Sequence, residues 1–180
     1  MEWIEKPHQF ITQGAIVDGV DWGHGIDNPL SIVISNACDI ENNKAEYLIV
    51  AALLPAASIL CESKEIFGIT GGKHDNFSNR QKKSIIDTIS KYINNTQVCR
   101  YFFFDPNPII DTELLLVDFQ MVKSINIHDE LDYIGQMKNI YTMQMISRFV
   151  SYTGRVPVDR PNEEKVNEYI KMLVERYYNI

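Results

Sequence analysis

Cysteine is scarce in this sequence, and it follows none of the spacings that bind metal or form a disulfide framework. Cys38, Cys61 and Cys99 are odd in number and lie far apart, with no CxxC pair. The four histidines are scattered, without an HxxxH pattern. The sequence therefore predicts a reduced, cytoplasmic protein with no metal site and no cofactor.

Long hydrophobic runs and positive charge are also in short supply. No apolar stretch approaches the roughly 20 residues that a membrane-spanning helix needs, and the opening MEWIEKPHQF is unlike a signal peptide. With 17 basic and 24 acidic side chains, the formal charge is −7. This charge opposes non-specific binding to nucleic acid or to an anionic membrane, so we expect a soluble protein that does not bind membranes.

The sequence does contain the ordinary composition and periodicity of a globular protein. Its 180 residues, 45 % apolar and 23 % charged, suffice for one domain or for a small core with a helical appendage. Apolar runs of strand length and turn signals predict strands at residues 13–17, 31–34, 47–54, 98–104 and 114–127. Helices are predicted at 56–67, from Ser78 to 95, from Asp129 to Gly154, and at 162–178.

Four stretches of the chain, residues 13–17, 29–36, 48–55 and 117–125, are similar in their order to strands of a known family. They resemble the MazF/PemK-like toxins, and the match spans residues 13–55 and 114–127, about a third of the chain. The resemblance implies an α+β protein with an SH3-like small β-barrel. We therefore expect the barrel at residues 10–127, with a helical insertion at about 56–97, and a two-helix extension at 128–180.

The catalytic residues of that family do not carry over to this chain. Its members cut single-stranded RNA with an Arg before the proline of the second stretch and a Thr or Ser at the end of the third. Here Asn28 precedes Pro29, Leu53-Leu54-Pro55-Ala56 occupies the other place, and the nearest hydroxyl, Ser58, lies beyond a proline. The resemblance thus implies the fold without the established nuclease site.

A looser resemblance points to a biological setting. Gln-Gly near the start, Ser-Asn-x-Cys-Asp and a terminal helix leading to Arg-Val-Pro are similar to uncharacterised bacterial and phage-associated proteins. That resemblance implies mobile elements or antiphage systems.

Cys38 and Asp39 are the first candidates for chemistry, because they follow directly on an apolar run. A nucleophilic cysteine needs a lowered pKa, usually from a histidine or a helix N-terminus, and an adjacent aspartate does the reverse. The alternative is a small buried cysteine beside an aspartate that accepts backbone hydrogen bonds in a turn. We favour the second interpretation and keep Cys38, Asp39 and Ser58 as weak catalytic candidates.

Binding candidates lie on the helices and on one aromatic strand. Arg80, Lys82 and Lys83 form either a solvated helix face or a contact for a phosphate backbone. Residues 101–104, Tyr-Phe-Phe-Phe, can stack bases, although core packing is the stronger interpretation. Met-rich faces such as Met137, Met143 and Met145 are usually core but also suit protein partners. The candidates for partner binding form the stripe of the last helix: Val166, Tyr169, Ile170, Leu173 and Tyr177.

These observations favour a non-catalytic protein-interaction component of a bacterial toxin–antitoxin or antiphage system. Its partner would be another protein subunit or a second copy of the chain. The alternative is a metal-independent endoribonuclease with a rearranged active site, and only this alternative requires RNA. A cysteine-dependent hydrolase is the third hypothesis.

Overall fold

The structure is a computed structural model, and it describes residues 2–23, 29–62, 64–71, 77–94 and 100–154. Seven strands form one sheet in the order β1-β7-β2-β3-β4-β6-β5, and every pairing is antiparallel. The strands are β1 (Ile4–Glu5), β2 (Ala15–Asp18), β3 (Ser31–Val33), β4 (Tyr47–Pro55), β5 (Tyr101–Phe104), β6 (Leu115–Asn126) and β7 (Asp132–Met137). The predicted strands correspond to β2 through β6.

The sheet curls so strongly that side chains near its two edges come into contact. Trp3 precedes β1 at one edge and Phe102 lies in β5 at the other, yet their ring centroids are 6.2 Å apart in an edge-to-face arrangement. Ile4 of β1 and Phe104 of β5 also belong to one buried cluster. The predicted α+β class with a small barrel-like sheet is therefore confirmed.

Both faces of the sheet are buried along β3 and from Val50 to Leu53 of β4, which explains the continuous apolar runs there. Adjacent residues of one strand point to opposite faces of the sheet, so they pack in two different apolar clusters. Ile16 packs in the interior cluster with Phe102 and Met145, whereas Val17 packs in a second, outer cluster with Val50. A third cluster lies farther along the outer side.

The helices lie mainly between β4 and β5 and after β7. They are α1 (Ala37–Glu41), α2 (Ala56–Glu62), α3 (Lys64–Thr70), α4 (Asn79–Ile93) and α5 (Asn139–Thr153). The helical insertion is confirmed, and Ser78 caps α4 in a capping box with Gln81, as its position before the apolar stripe predicted. Within the described ranges, no helix is long and apolar enough to cross a membrane.

One predicted helix begins later than expected, and the sheet is larger as a result. The helix predicted from Asp129 starts at Asn139, because residues 132–137 form β7, which pairs with both β1 and β2. Strands of the sheet therefore lie outside the predicted barrel range 10–127, at β1 and β7. The division of the chain into domains stays a prediction, and the helix predicted at 162–178 lies outside the described residues.

Gly14 fixes how α5 sits against the start of β2. Its φ is +84°, and a Cβ at this position would lie 2.5 Å from Thr142 Oγ1 of α5. Thr142 Oγ1 in turn donates a hydrogen bond to the Met137 carbonyl at 3.0 Å. Only glycine meets both the backbone conformation and the close approach, so the glycine of the opening strand has a structural reason.

Candidate functional site

A row of four residues crosses the outer side of the sheet from β3 to β5. Ser31 pairs with Ala52, Ala52 with Asp118, and Asp118 with Tyr101. Residues directly opposite one another share a face of the sheet. Ser31 and Asp118 are buried polar residues in this row, and Ser31 Oγ accepts a hydrogen bond from Trp22 Nε1 at 3.1 Å.

The charged centre of this row is a two-point contact between Arg100 and Asp118. Arg100 Nε donates to Asp118 Oδ1 at 2.8 Å, and Nη2 donates to Oδ2 at 2.6 Å. The backbone N–H of Gln120 also donates to Oδ1, at 3.0 Å. These bonds compensate a carboxylate whose side chain is 3 % exposed, whereas that of Arg100 is 37 % exposed.

Tyr101, which is partly buried, completes the cluster. The Arg100 Cζ lies 4.8 Å from the centroid of the Tyr101 ring, a cation–π geometry. The hydrogen bonds that Arg100 donates to Asp118 raise the pKa of Arg100, so the guanidinium stays charged. Burial raises the pKa of Tyr101 against the opposing effect of Arg100, which keeps the phenol protonated at neutral pH.

This cluster combines a cation and a proton donor, the groups that phosphoryl chemistry needs. The charge of Arg100 is already matched by Asp118, which weakens its attraction for a phosphate. Asp118 lies in the stretch 117–125 that resembles the toxin family, which is a local signal for this residue. Arg100 has no such signal, because it reaches Asp118 through the pairing of β5 with β6.

Cys38 occupies a different environment from the one predicted. It is exposed rather than buried, because the chain leaves the sheet after β3 and forms the short helix α1. The side chain that accepts a backbone hydrogen bond here is that of Asn36, whose Oδ1 lies 2.9 Å from the Cys38 nitrogen. Asp39 is also exposed, and the expectation that Cys38 is a core residue is wrong.

Ser58 lies in α2, and its side chain is outside the described part. In the part of the chain that the structure describes, no three His, Cys, Asp or Glu side chains come together in a way that could hold a metal ion.

The basic cluster and the aromatic strand have clear positions. Arg80, Lys82 and Lys83 are exposed near the start of α4, where the helix dipole disfavours cations. Phe102, Phe103 and Phe104 are buried, so the core interpretation of this strand is confirmed and these rings are not available for base stacking.

The outer side of α5 exposes several large apolar side chains. Ile140, Met143 and Val150 expose 64 %, 60 % and 59 % of their area, and they lie on one side of the helix with Ser147. We call these four residues the α5 face. Arg148 is the one charged residue in α5, and a groove of about 750 Å³ runs beside the helix, lined in part by Ile140, Met143 and Phe102.

The helical spacing of apolar residues in the sequence had marked the inner side of α5, which lies opposite the α5 face. Tyr141, Met145, Phe149 and Tyr152, which follow helical spacing, pack against the interior cluster as expected. Of the predicted methionine group, Met137 and Met145 are buried and Met143 is exposed. The available signal for the α5 face was the lack of charge among its outer positions.

A second concavity lies between residues 8–12 and the start of β4. This cleft of about 900 Å³ is lined mostly by apolar residues, including Phe10, Ile40 and Leu48. Its Tyr133 hydroxyl donates to Gln136 Oε1 at 2.6 Å and accepts from the His8 nitrogen at 3.2 Å. Because this hydroxyl already has both a hydrogen-bond donor and an acceptor within the protein, we assign it a structural role.

The partner-binding candidates Val166, Tyr169, Ile170, Leu173 and Tyr177 lie outside the described residues.

Comparisons with known proteins give a weak likeness in structure alone. No protein-family profile matches the chain, and no curated protein matches it. A mycobacterial endoribonuclease solved in complex with its cognate antitoxin is similar at a TM-score of 0.45 and 12 % identity, over 83 % of this chain and 100 % of that one. A second mycobacterial endoribonuclease has a TM-score of 0.43 and 11 % identity, over 88 % and 100 %. At these values the likeness carries no argument about activity.

Proposed function

We propose that this protein is a non-catalytic interaction component of a bacterial toxin–antitoxin or antiphage system, and that the α5 face is its docking surface. The observation that carries the proposal is the exposure of Ile140, Met143 and Val150 on a helix with a single charged residue. Contiguous exposed apolar side chains mark interaction sites in soluble proteins. The assignment to this class of system rests on the sequence resemblance.

The composition of the α5 face also suits a protein partner. The centres of protein–protein interfaces are depleted of charge and enriched in methionine and aromatic residues. The groove beside α5 adds a concave wall where Phe102 lies, so a partner can insert side chains as well as cover a flat surface.

Two isoleucines of equal exposure provide a matched test. Ile140 is 64 % exposed on α5, and Ile86 is 63 % exposed on α4. The tagged chain would be co-expressed with the products of adjacent genes, as wild type, Ile140→Lys and Ile86→Lys, and co-purified proteins identified by mass spectrometry. We expect Ile140→Lys to weaken the complex at least about tenfold, since it would bury an unpaired charge.

The control decides the interpretation of this experiment. Ile86→Lys adds the same charge to a different surface and should bind the partner as wild type does. If Ile140→Lys binds as tightly as Ile86→Lys, the α5 face is not the docking surface.

The endoribonuclease alternative is favoured by one feature, the position of Arg100. Its partner Asp118 pairs with Ala52 near the end of β4, and the adjacent Leu53 donates to the Leu30 carbonyl beside β3 at 2.8 Å. The resemblance places the family's catalytic residues at these strand ends. In this alternative Arg100 supplies the cation and Tyr101 the proton.

Single-stranded RNA incubated with the purified protein, without added metal, tests the alternative. We expect no cleavage above a heat-inactivated control, because Asp118 compensates the charge of Arg100. Cleavage that survives repurification and disappears in Arg100→Met would place the nuclease ahead of the interaction component.

A further inference from the structure

We propose that the cleft between residues 8–12 and the start of β4 is a binding site for a small amine with an apolar body. The floor of this cleft belongs to the outer cluster of the sheet, whereas α5 packs against the interior cluster. The site is therefore separate from the α5 face. The inference goes beyond the proposed function and does not depend on it.

The first argument is the apolar floor of the cleft. Leu48 and Ile40 expose 0 % and 7 % of their area, and they line the cleft as members of the outer cluster. The partly buried Ile11, Ile127 and Tyr133 line it as well. The volume of about 900 Å³ lies within the range of cavities that hold small molecules. This lining would remove the apolar body of a ligand from water.

The second argument is Phe10, which lies at the solvent-exposed end of the lining. Its side chain is 72 % exposed beside the cleft, so the ring contributes little to the core of the protein. An aromatic ring can cover an apolar ligand, and its face also attracts cations. Phe10 therefore offers a contact that suits a bound amine better than it suits the fold.

The third argument is the charge of the lining, which favours a cation. Glu41 is the one Asp, Glu, Lys or Arg side chain among the described lining residues. Its Oε1 accepts a hydrogen bond from Thr12 Oγ1 at 3.4 Å, and its Oε2 has no partner among the described residues. The His8 ring also lines the cleft, and its Nε2 lies 2.9 Å from Glu5 Oε1. An amine would therefore meet a carboxylate with an available acceptor, whereas an anionic ligand would be repelled.

Glu41 should determine the selectivity of the cleft more than its affinity. The residue is exposed, and an ion pair in contact with water contributes little compared with the burial of an apolar body. We therefore expect the amine to bind about fivefold more tightly than an uncharged ligand of the same shape. The net charge of −7 on the whole chain acts in the same direction.

The test titrates the full chain with three ligands that share one apolar body: 4-phenylbutylamine, 4-phenylbutanol and 4-phenylbutyrate. The readout is the chemical shift of the 13C-labelled methyl group of Ile40, which lines the cleft. Ile86 and Ile140, which are exposed on α4 and α5, provide reference methyl groups. In wild type the amine should bind about fivefold more tightly than the alcohol, and the carboxylate should bind more weakly than both.

Two carboxylate variants assign this preference to one side chain. Glu41→Gln keeps the size of the side chain and removes its charge, so it should bind the amine and the alcohol equally. Glu46→Gln is the matched control, since Glu46 is also exposed but lies outside the lining, and it should keep the preference. Phe10→Ala should weaken all three ligands about threefold and leave the fold intact, because Phe10 is largely exposed.

Three results of these titrations would overturn the proposal. They are no change at Ile40 with any ligand, equal affinity for the three ligands in wild type, and an amine preference that persists in Glu41→Gln. Shifts at Ile86 or Ile140 as large as those at Ile40 would show non-specific adsorption and overturn it as well. An Ile40 shift that depends on protein concentration without ligand, together with a dimer mass by light scattering, would assign the cleft to a second copy and also overturn it.

Discussion

At the scale of single residues, Arg100 and Asp118 share one ion pair but differ in their access to water. The Asp118 side chain is 3 % exposed and the Arg100 side chain 37 %. If Asp118 is removed, the guanidinium can turn towards solvent. If Arg100 is removed, the carboxylate stays buried with the Gln120 N–H as a remaining donor. The two substitutions should therefore differ in cost.

We predict that Arg100→Met lowers the free energy of unfolding at neutral pH by about 2–3 kcal/mol, against about 1 kcal/mol for Asp118→Asn. The loss expected for Arg100→Met is smaller than the loss for breaking a fully buried ion pair, because Arg100 reaches solvent. Urea unfolding at neutral pH measures the loss for each variant.

A second ion pair serves as the control for this prediction. Lys138 Nζ contacts Glu2 Oε2 at 2.9 Å, and this contact lowers the pKa of Glu2 and raises that of Lys138. Both groups are solvated, so Lys138→Met should leave the unfolding transition nearly unchanged. If Arg100→Met and Asp118→Asn lower the free energy of unfolding equally, the prediction is wrong.

At the scale of elements, the segments with local signals were predictable and the others were not. Helix α4 carries its own start signal, the capping box of Ser78 and Gln81. Strand β7 was misread as helix because Leu131, Ile134 and Met137 continue the spacing of α5. The contrary local signal was Gly135, a poor helix former, which packs close to Ile109 and to the backbone of Glu5.

Exposure of the candidate residues was likewise predictable only where a local sequence signal existed. The inner side of α5 was read from helical spacing, but exposure of its outer side depends on what packs against it. Cys38 was expected to be buried because it follows an apolar run. Asn36 instead caps α1, and that helix turns Ile40 inward and leaves Cys38 exposed.

At the scale of the whole molecule, Trp3 links the two edges of the curled sheet to α5. Its ring contacts Phe102 at 6.2 Å and Tyr141 at 4.2 Å between centroids. The Trp3 carbonyl also accepts a hydrogen bond from the Lys138 N–H at 3.0 Å. One residue near the N-terminus therefore contacts β5 and α5, which are far away in sequence.

We predict that Trp3→Ala lowers the free energy of unfolding by about 2–3 kcal/mol, less than for a fully buried tryptophan because Trp3 is half-buried. Phe10→Ala is the matched control, since Phe10 is 72 % exposed and should change stability by less than about 0.5 kcal/mol. Urea unfolding followed by far-UV circular dichroism measures both. Similar values for the two variants would mean that Trp3 does not hold the sheet edges together.

The sequence by itself determined the α+β composition, the apolar strands β3, β4 and β6, and the capped helix α4. Each of these depends on periodicity or hydrogen bonds within a few neighbouring residues. The tertiary structure decided the pairing of β7 with β1 and β2, the meeting of Trp3 with Phe102, and the contact of Arg100 with Asp118. These contacts join distant segments, and their free energy depends on the register and curvature of the complete sheet, which no local stretch of sequence specifies.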